Sequence, residues 1–169
     1  MNTSIVAGTV YTVTATNLTV CKGNAIGSKN SARFGIALDA DSLDIVINEI
    51  LYNPKPNGVD DVGLYNRSKK IIDLSHVYIA NRSSGALSSI KLVSSERVLL
   101  FPEDYVVLAS DPVAVTDQNL TTNPDAFTMV SSMPSFPEDA GYVIILNGQC
   151  NIVGKVDYSD KWHSCSFKY

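Results

Sequence analysis

Apolar and polar residues alternate along much of this chain, most clearly between residues 60 and 82. Two short runs, 62–65 and 77–80, flank a polar turn at 66–70. In the first, Val62 and Leu64 alternate with Gly63 and Tyr65; in the second, Val77 and Ile79 alternate with Tyr78 and Ala80. A period of two puts every second side chain on one face, so each run predicts a strand with one side in a core. Together they read as a hairpin, with Ile71, Ile72 and Leu74 pinning the connection.

The same reading extends in both directions. Residues 9–20 are rich in Thr and Val and predict a strand, Gly23 and Asn24 turn the chain, and 32–38 predicts a second strand. Residues 39–44 are acidic and aperiodic and read as a solvated linker. Residues 45–51 predict a strand with Val46, Asn48 and Ile50 on one side and Ile45, Ile47 and Glu49 on the other. Pro54, Pro56 and Asn57-Gly58 end it. A short edge segment at 87–93 precedes strands at 97–101 and 105–109. Residues 111–125 lack a clear period, with 114–120 compatible with a short helix, and 131–137 are an irregular Pro/Ser run. Residues 141–146 and 152–158 form a final hairpin around Asn147-Gly148. Trp162, the only tryptophan, is expected to cap the core. Many short strands between turn signals argue for an all-β antiparallel sandwich, with barrel and jelly roll left open by periodicity alone.

Composition narrows the class. The chain has 169 residues, enough for one ordinary domain, and 45% hydrophobic with 18% charged residues is globular composition. A net charge of -4 argues against a protein built chiefly to hold a nucleic-acid backbone. The apolar runs are too short to span a bilayer as helices. Residues 1–4 lack the basic start and apolar region of a signal peptide, so export would require a signal outside this sequence. Three cysteines, Cys21, Cys150 and Cys165, lack Cys-x-x-Cys spacing and do not read as a zinc site. Three unpaired thiols are expected, although a Cys150–Cys165 bridge is possible if both lie near the last strand pair.

Catalytic constellations are not found. There is no Gly-x-Ser-x-Gly elbow, no phosphate-binding glycine loop and no His-Glu-x-x-His, and the two histidines, His76 and His163, are too few for a three-His metal site. Acidic pairs occur (Asp60 with Asp61, Glu103 with Asp104, Glu138 with Asp139, Asp157 with Asp160), each at a predicted turn or strand end. General acid–base work needs one of them in a desolvated cleft, and nothing in the sequence indicates which. Asp39, Asp41 and Asp44 are a weak calcium candidate, since hard cations take several carboxylates, but they lack the glycine and closing glutamate of an EF-hand loop. Arg67, Lys69 and Lys70 form the one compact basic cluster, with Arg82 expected near it in the fold; they are the candidate binding residues, for phosphate among other ligands, the alternative being a solvated turn. Five Asn-x-Ser/Thr sequons, at Asn2, Asn17, Asn66, Asn81 and Asn119, are expected by chance in so Asn/Ser/Thr-rich a chain.

In order along residues 44–163 stand Ile47-Asn48-Glu49-Ile50-Leu51, then 60–66, then Ile72-Asp73-Leu74-Ser75, then Leu100-Phe101-Pro102 with Tyr105-Val106-Val107-Leu108, then Gly141-Tyr142-Val143-Ile144-Ile145-Leu146-Asn147, and finally Val156-Asp157-Tyr158. This ordered set resembles the lamin-tail domain family in its bacterial extracellular form. The resemblance implies an Ig-like sandwich acting as a non-catalytic adhesion or targeting module of an exported bacterial multidomain protein. Asp61 and Gly63 depart from it, standing where the family has an aromatic residue and a glutamate, so any task of that glutamate is lost here. Residues 7–38 resemble the closing hairpin of bacterial Ig-like repeat domains, which implies a division into partial repeat strands and linker (1–43), lamin-tail domain (44–163) and tail (164–169). No cofactor is implied and no enzymatic activity is expected. The partners expected are neighbouring domains and a protein or glycan ligand, bound at the basic cluster or by the 111–125 loop. The alternatives are a spacer between domains and a nucleic-acid-contacting accessory domain. The implied location is extracytoplasmic.

Overall fold

Period-two patterning becomes strands throughout, in a computed structural model that describes residues 4–17, 19, 23, 26–121 and 123–163. In chain order the strands are β1 (Tyr11–Thr14), β2 (Ser31–Phe34), β3 (Ile45–Leu51), β4 (Asp61–Asn66), β5 (Ile72–Asp73), β6 (Tyr78–Ser83), β7 (Ala86–Leu92), β8 (Leu99–Leu100), β9 (Tyr105–Ala109), β10 (Phe127–Met129), β11 (Ala140–Leu146) and β12 (Ile152–Ser159). One α-helix, α1 (Pro112–Gln118), links β9 to β10. One four-stranded sheet runs β10-β9-β4-β3 and another runs β12-β11-β6-β7. Val62, Leu64, Val106 and Leu108 from the first face Ile79, Val143, Ile145 and Val153 from the second in one buried cluster. The protein is an all-β sandwich with mainly antiparallel strands; among the described strands, β10 alone joins its neighbour, β9, in parallel.

The predicted hairpin at 62–80 is corrected. β4 pairs with β3 and β9, whereas β6 pairs with β11 and β7, so the chain leaves one sheet and enters the other. Ile71, Ile72 and Leu74 are buried, and their burial carries the connection across the core. Asn66 fixes the exit from β4. Its fully buried side chain donates to the carbonyls of Lys70 (2.8 Å) and Leu100 (3.0 Å) and accepts from the amide and hydroxyl of Ser68. That burial also removes Asn66 as a glycan acceptor.

A bulge overturns the expected faces of 45–51. Ile47 pairs with Leu64 and Glu49 with Gly63, so Asn48 is an extra residue. The alternation slips by one there: Ile45, Ile47 and Ile50 all pack toward the core, and Glu49 turns to the outer face with Leu51. The two sheets meet along β3 and β12. Leu43 N–H donates to the Val153 carbonyl at 2.7 Å, and a Cβ on Gly154 would stand 2.7 Å from the Ile45 carbonyl oxygen.

Residues 39–44 are not a solvated linker. Ala40 is buried in the core cluster, and its carbonyl accepts from the Asn147 side chain at 2.9 Å. β1 and β2 form a hairpin that docks on the sandwich through Arg33, which donates twice to Asp104 and lies 4.4 Å from the centre of the Phe101 ring. Trp162 does not cap the core: it is 63% exposed. The Tyr52–Tyr158 stack, with ring centres 4.4 Å apart, closes that end instead, and the Tyr158 hydroxyl donates to the Pro137 carbonyl. Cys150 is exposed, while Cys21, Cys165, Asn2, Asn24 and the 164–169 tail lie outside the described residues. Among the described residues, no helix is long and apolar enough to cross a membrane.

Candidate functional site

The sequence-predicted basic cluster is divided by the fold. Arg67 and Lys69 are exposed on the turn after β4. Lys70 is engaged: its ammonium donates to Asp44 at 2.7 Å, to Asp41 and to the Asp39 carbonyl. These contacts raise its pKa, Asp41 foremost. Arg82 lies elsewhere, over the Tyr142 ring at 5.5 Å. Tyr78 at the start of β6 pairs with Leu146, so Arg82 is four residues, about 13 Å, along the strand from that end.

The calcium candidate resolves with the same lysine. Asp41 and Asp44 converge on the Lys70 ammonium, whereas the Asp39 carboxylate accepts from the Gln149 amide at 3.0 Å. The cation among these carboxylates is a side chain. Among the described residues, no group of three or more His, Cys, Asp or Glu is placed to hold a metal ion. His76 is exposed at the end of a 3-10 turn (Leu74–His76), which Asp73 caps by accepting from the Ser75 amide and hydroxyl. Arg97 donates to the other Asp73 oxygen at 3.0 Å. Burial acts to raise the Asp73 pKa, but these donors outweigh it and hold the carboxyl below its ordinary value.

A cleft of about 580 Å³ opens on the outer face of the β10-β9-β4-β3 sheet. Its floor is built by the alternation that fills the core: Val62 and Leu64 point inward, so Asp61 and Gly63 point outward, beside Glu49 and Leu51 of β3 and Tyr105 and Val107 of β9. Its roof is α1 and the segment that follows, with Val115, Asn119, Leu120 and Asn123, and Phe127 closes one side. Asp111 caps α1 by accepting from the amides of Val113 and Ala114, and Pro112 occupies the first turn, where its missing N–H costs nothing. The far end of α1 is latched to the 55–58 loop by Lys55 to the Gln118 carbonyl (3.4 Å) and by Gln118 to the Pro56 carbonyl (3.3 Å).

Asp61 is the unusual group in this cleft. The residue is 5% exposed, and its carboxylate takes no hydrogen bond among the described residues while keeping access to the cleft. Burial, then the charge of Glu49, then that of Asp60, push its pKa up to about 6. Glu49 pairs with Gly63, two residues along β4, so the two acids are diagonal neighbours on one face. Gly63 gives Glu49 its place: a Cβ there would lie 3.1 Å from the Glu49 Cβ. No lysine, arginine or histidine lines the cleft among the described residues. Described residues of the 111–125 segment roof this cleft, whereas Glu49 and Asp61 are not among the residues that the sequence singles out for binding. In the sequence Asp61 stands out as one of an acidic pair and as a departure from the lamin-tail pattern, neither of which reveals its burial, and the bulge at Asn48 that brings Glu49 to this face has no sequence signature.

No protein-family model matches this chain, and no curated protein is significantly similar to it.

Proposed function

We propose that this chain is a non-catalytic binding module, an Ig-like sandwich of the lamin-tail kind, working beside other domains of an exported protein. The observation that carries this reading is the roofed cleft holding Asp61. Asp61 is a nearly buried residue whose carboxylate takes no hydrogen bond among the described residues and opens to the cleft, and carboxyls raised by burial and by like charge cluster at sites that meet ligands. Apolar and aromatic walls around a few convergent polar groups are the usual make-up of a small-molecule or side-chain pocket. The exposed pair Arg67 and Lys69 is a lesser surface, since Lys70 is neutralised and Arg82 lies elsewhere.

A thermal-shift panel of glycans, peptides and duplex DNA tests this reading. A ligand at 100 times its dissociation constant stabilises the folded state by about 2.7 kcal/mol, a visible rise in melting temperature. Amide shifts at Gly63, Val107 and Phe127 then map it to the cleft. A panel that leaves both readouts unchanged favours the second reading, a spacer. The docked β1–β2 hairpin supports that alternative: the Arg33–Asp104 ion pair ties the preceding strands to the sandwich, as a spacer needs.

A further inference from the structure

We propose that the cleft beneath α1 receives an organic cation, an ammonium or guanidinium group on an apolar stem, with Asp61 and Glu49 as its counter-charges. This rests on the binding-module reading and names the ligand class. Asp61 is 5% exposed and unpartnered among the described residues, aimed into an open cleft rather than into packed protein. Glu49 and Asp60 add negative charge beside it, and both oppose its ionisation. No described lining residue supplies a positive charge; Lys55, which donates to the Gln118 carbonyl beyond the roof, is not part of the lining. A bound cation offsets both repulsions at once; a neutral sugar hydroxyl supplies a hydrogen bond but no charge.

The remaining walls select the kind of cation. Calcium and magnesium take six or more oxygens, whereas this cleft presents two carboxylates between Leu51, Val107, Val115 and Phe127. An alkyl stem suits those walls. Tyr105, stacked on Tyr65 with ring centres 4.5 Å apart, stands at the edge and offers an aromatic face to a cation. The stem and charge belong equally to a free alkylamine or to a lysine or arginine side chain of a partner protein.

Occupancy is coupled to pH. The titratable groups facing Asp61 are Glu49 from β3, Asp60 from its own chain segment and Tyr105 from β9; α1, the described residues after it and β10 bring none to the lining. With Asp61 titrating near 6, only about a tenth of it is ionised at pH 5, so cation affinity falls about tenfold between pH 7.5 and pH 5.

The test is an NMR titration of the ¹⁵N-labelled chain with n-butylamine, N-acetyl-lysine methylamide, N-acetyl-arginine methylamide, and n-butanol and N-acetylglucosamine as neutral probes. The proposal expects shifts of the Asp61, Gly63, Val107 and Phe127 amides with at least one cationic probe and none with n-butanol. It expects weakening of about tenfold at pH 5, and loss in Asp61→Asn and weakening in Glu49→Gln, both with well-dispersed spectra. Butylamine binding as tightly as the amino-acid amides identifies a free amine as sufficient; preference for the amides identifies a partner's basic side chain. Equal response to butylamine and butanol, or undiminished binding by Asp61→Asn, overturns the proposal. If N-acetylglucosamine alone shifts the cleft residues, the cation proposal fails and the binding-module reading stands. If no cationic probe shifts them, the proposal fails whatever the wider panel shows.

Discussion

Glu49 on β3 and Asp61 on β4 are diagonal neighbours on the outer face of one sheet, and the charge of Glu49 helps to push the Asp61 pKa up to about 6. Gly63, opposite Glu49, leaves space for it. Two acids are thus held together where neither has a counter-ion among the described lining residues, with Val62 and Leu64 of the same sheet packed in the apolar cluster behind them.

Asp61 should therefore weaken the fold it belongs to. Its folded pKa lies above the unfolded value, so the folded state binds the proton more tightly, and stability falls as pH rises from about 4 through 6. A shift of this size corresponds to an effect on the order of 2–3 kcal/mol between those limits. Asp61→Asn should be more stable than wild type at pH 7 by about 1–3 kcal/mol and should lose this slope, as measured by urea denaturation at each pH.

Asp73 works in the opposite direction. Its folded pKa is depressed, so its contribution is present above the unfolded pKa and is lost as pH falls through the folded value. The two groups therefore act on opposite sides: Asp73 lowers stability as the solution is acidified, and Asp61 lowers it as pH rises toward neutrality. Arg97→Ala should remove part of the Asp73 effect and narrow the fall below pH 4 in the same denaturation series.

Much of this fold was legible in the chain. β3 at 45–51 and β9 at 105–109 fall where the sequence puts them, because each carries enough apolar residues for one buried face, although only β9 keeps its predicted alternation without a bulge. What escaped had physical causes that leave no local pattern. The bulge at Asn48 reassigns Glu49 to the other face without changing the composition of the strand. β10 is three residues long and is held by parallel pairing to β9, a contact made only after α1 has returned the chain. The β4–β6 connection looked like a hairpin because alternation reports a buried face and says nothing of which sheet owns it. Asp61 was legible as an acid, but its burial depends on α1 and the roof segment, which are distant in sequence.

The meeting of the two sheets is sterically tight at Gly154. A Cβ there would come within 2.7 Å of the Ile45 carbonyl oxygen, a backbone atom held in β3. Gly154→Ala should cost about 1–3 kcal/mol, the usual range for overpacking. Gly148→Ala, whose Cβ would meet the His76 carbonyl oxygen at an ordinary 3.7 Å, serves as the control and should stay within about 0.5 kcal/mol of wild type in thermal denaturation.

Lys70 joins residues 39–44 to the β4 turn. Lys70→Met should destabilise by about 1 kcal/mol at low ionic strength, with a smaller difference in 1 M salt (about a 3 Å screening length), because the ion pairs are partly exposed. The raised Lys70 pKa makes its contribution fully present below the unfolded value and lost only as alkaline pH passes the folded one. Differential scanning calorimetry at the two salt concentrations measures the difference.

Arg33 anchors the N-terminal hairpin. Arg33→Ala should speed amide hydrogen exchange in β1 and β2 while leaving the exchange of β4, β9 and β11 unchanged, since the hairpin contributes nothing to the sandwich's buried cluster.

The most direct measurement is the pKa of Asp61 itself, from the ¹³C shift of its side-chain carboxyl followed by NMR across pH 3–8. The structure predicts a midpoint near 6, lowered in Glu49→Gln as the neighbouring charge is removed. A midpoint near the ordinary aspartate value of about 3.9, unmoved in Glu49→Gln, would mean a solvated carboxylate and no site beneath α1.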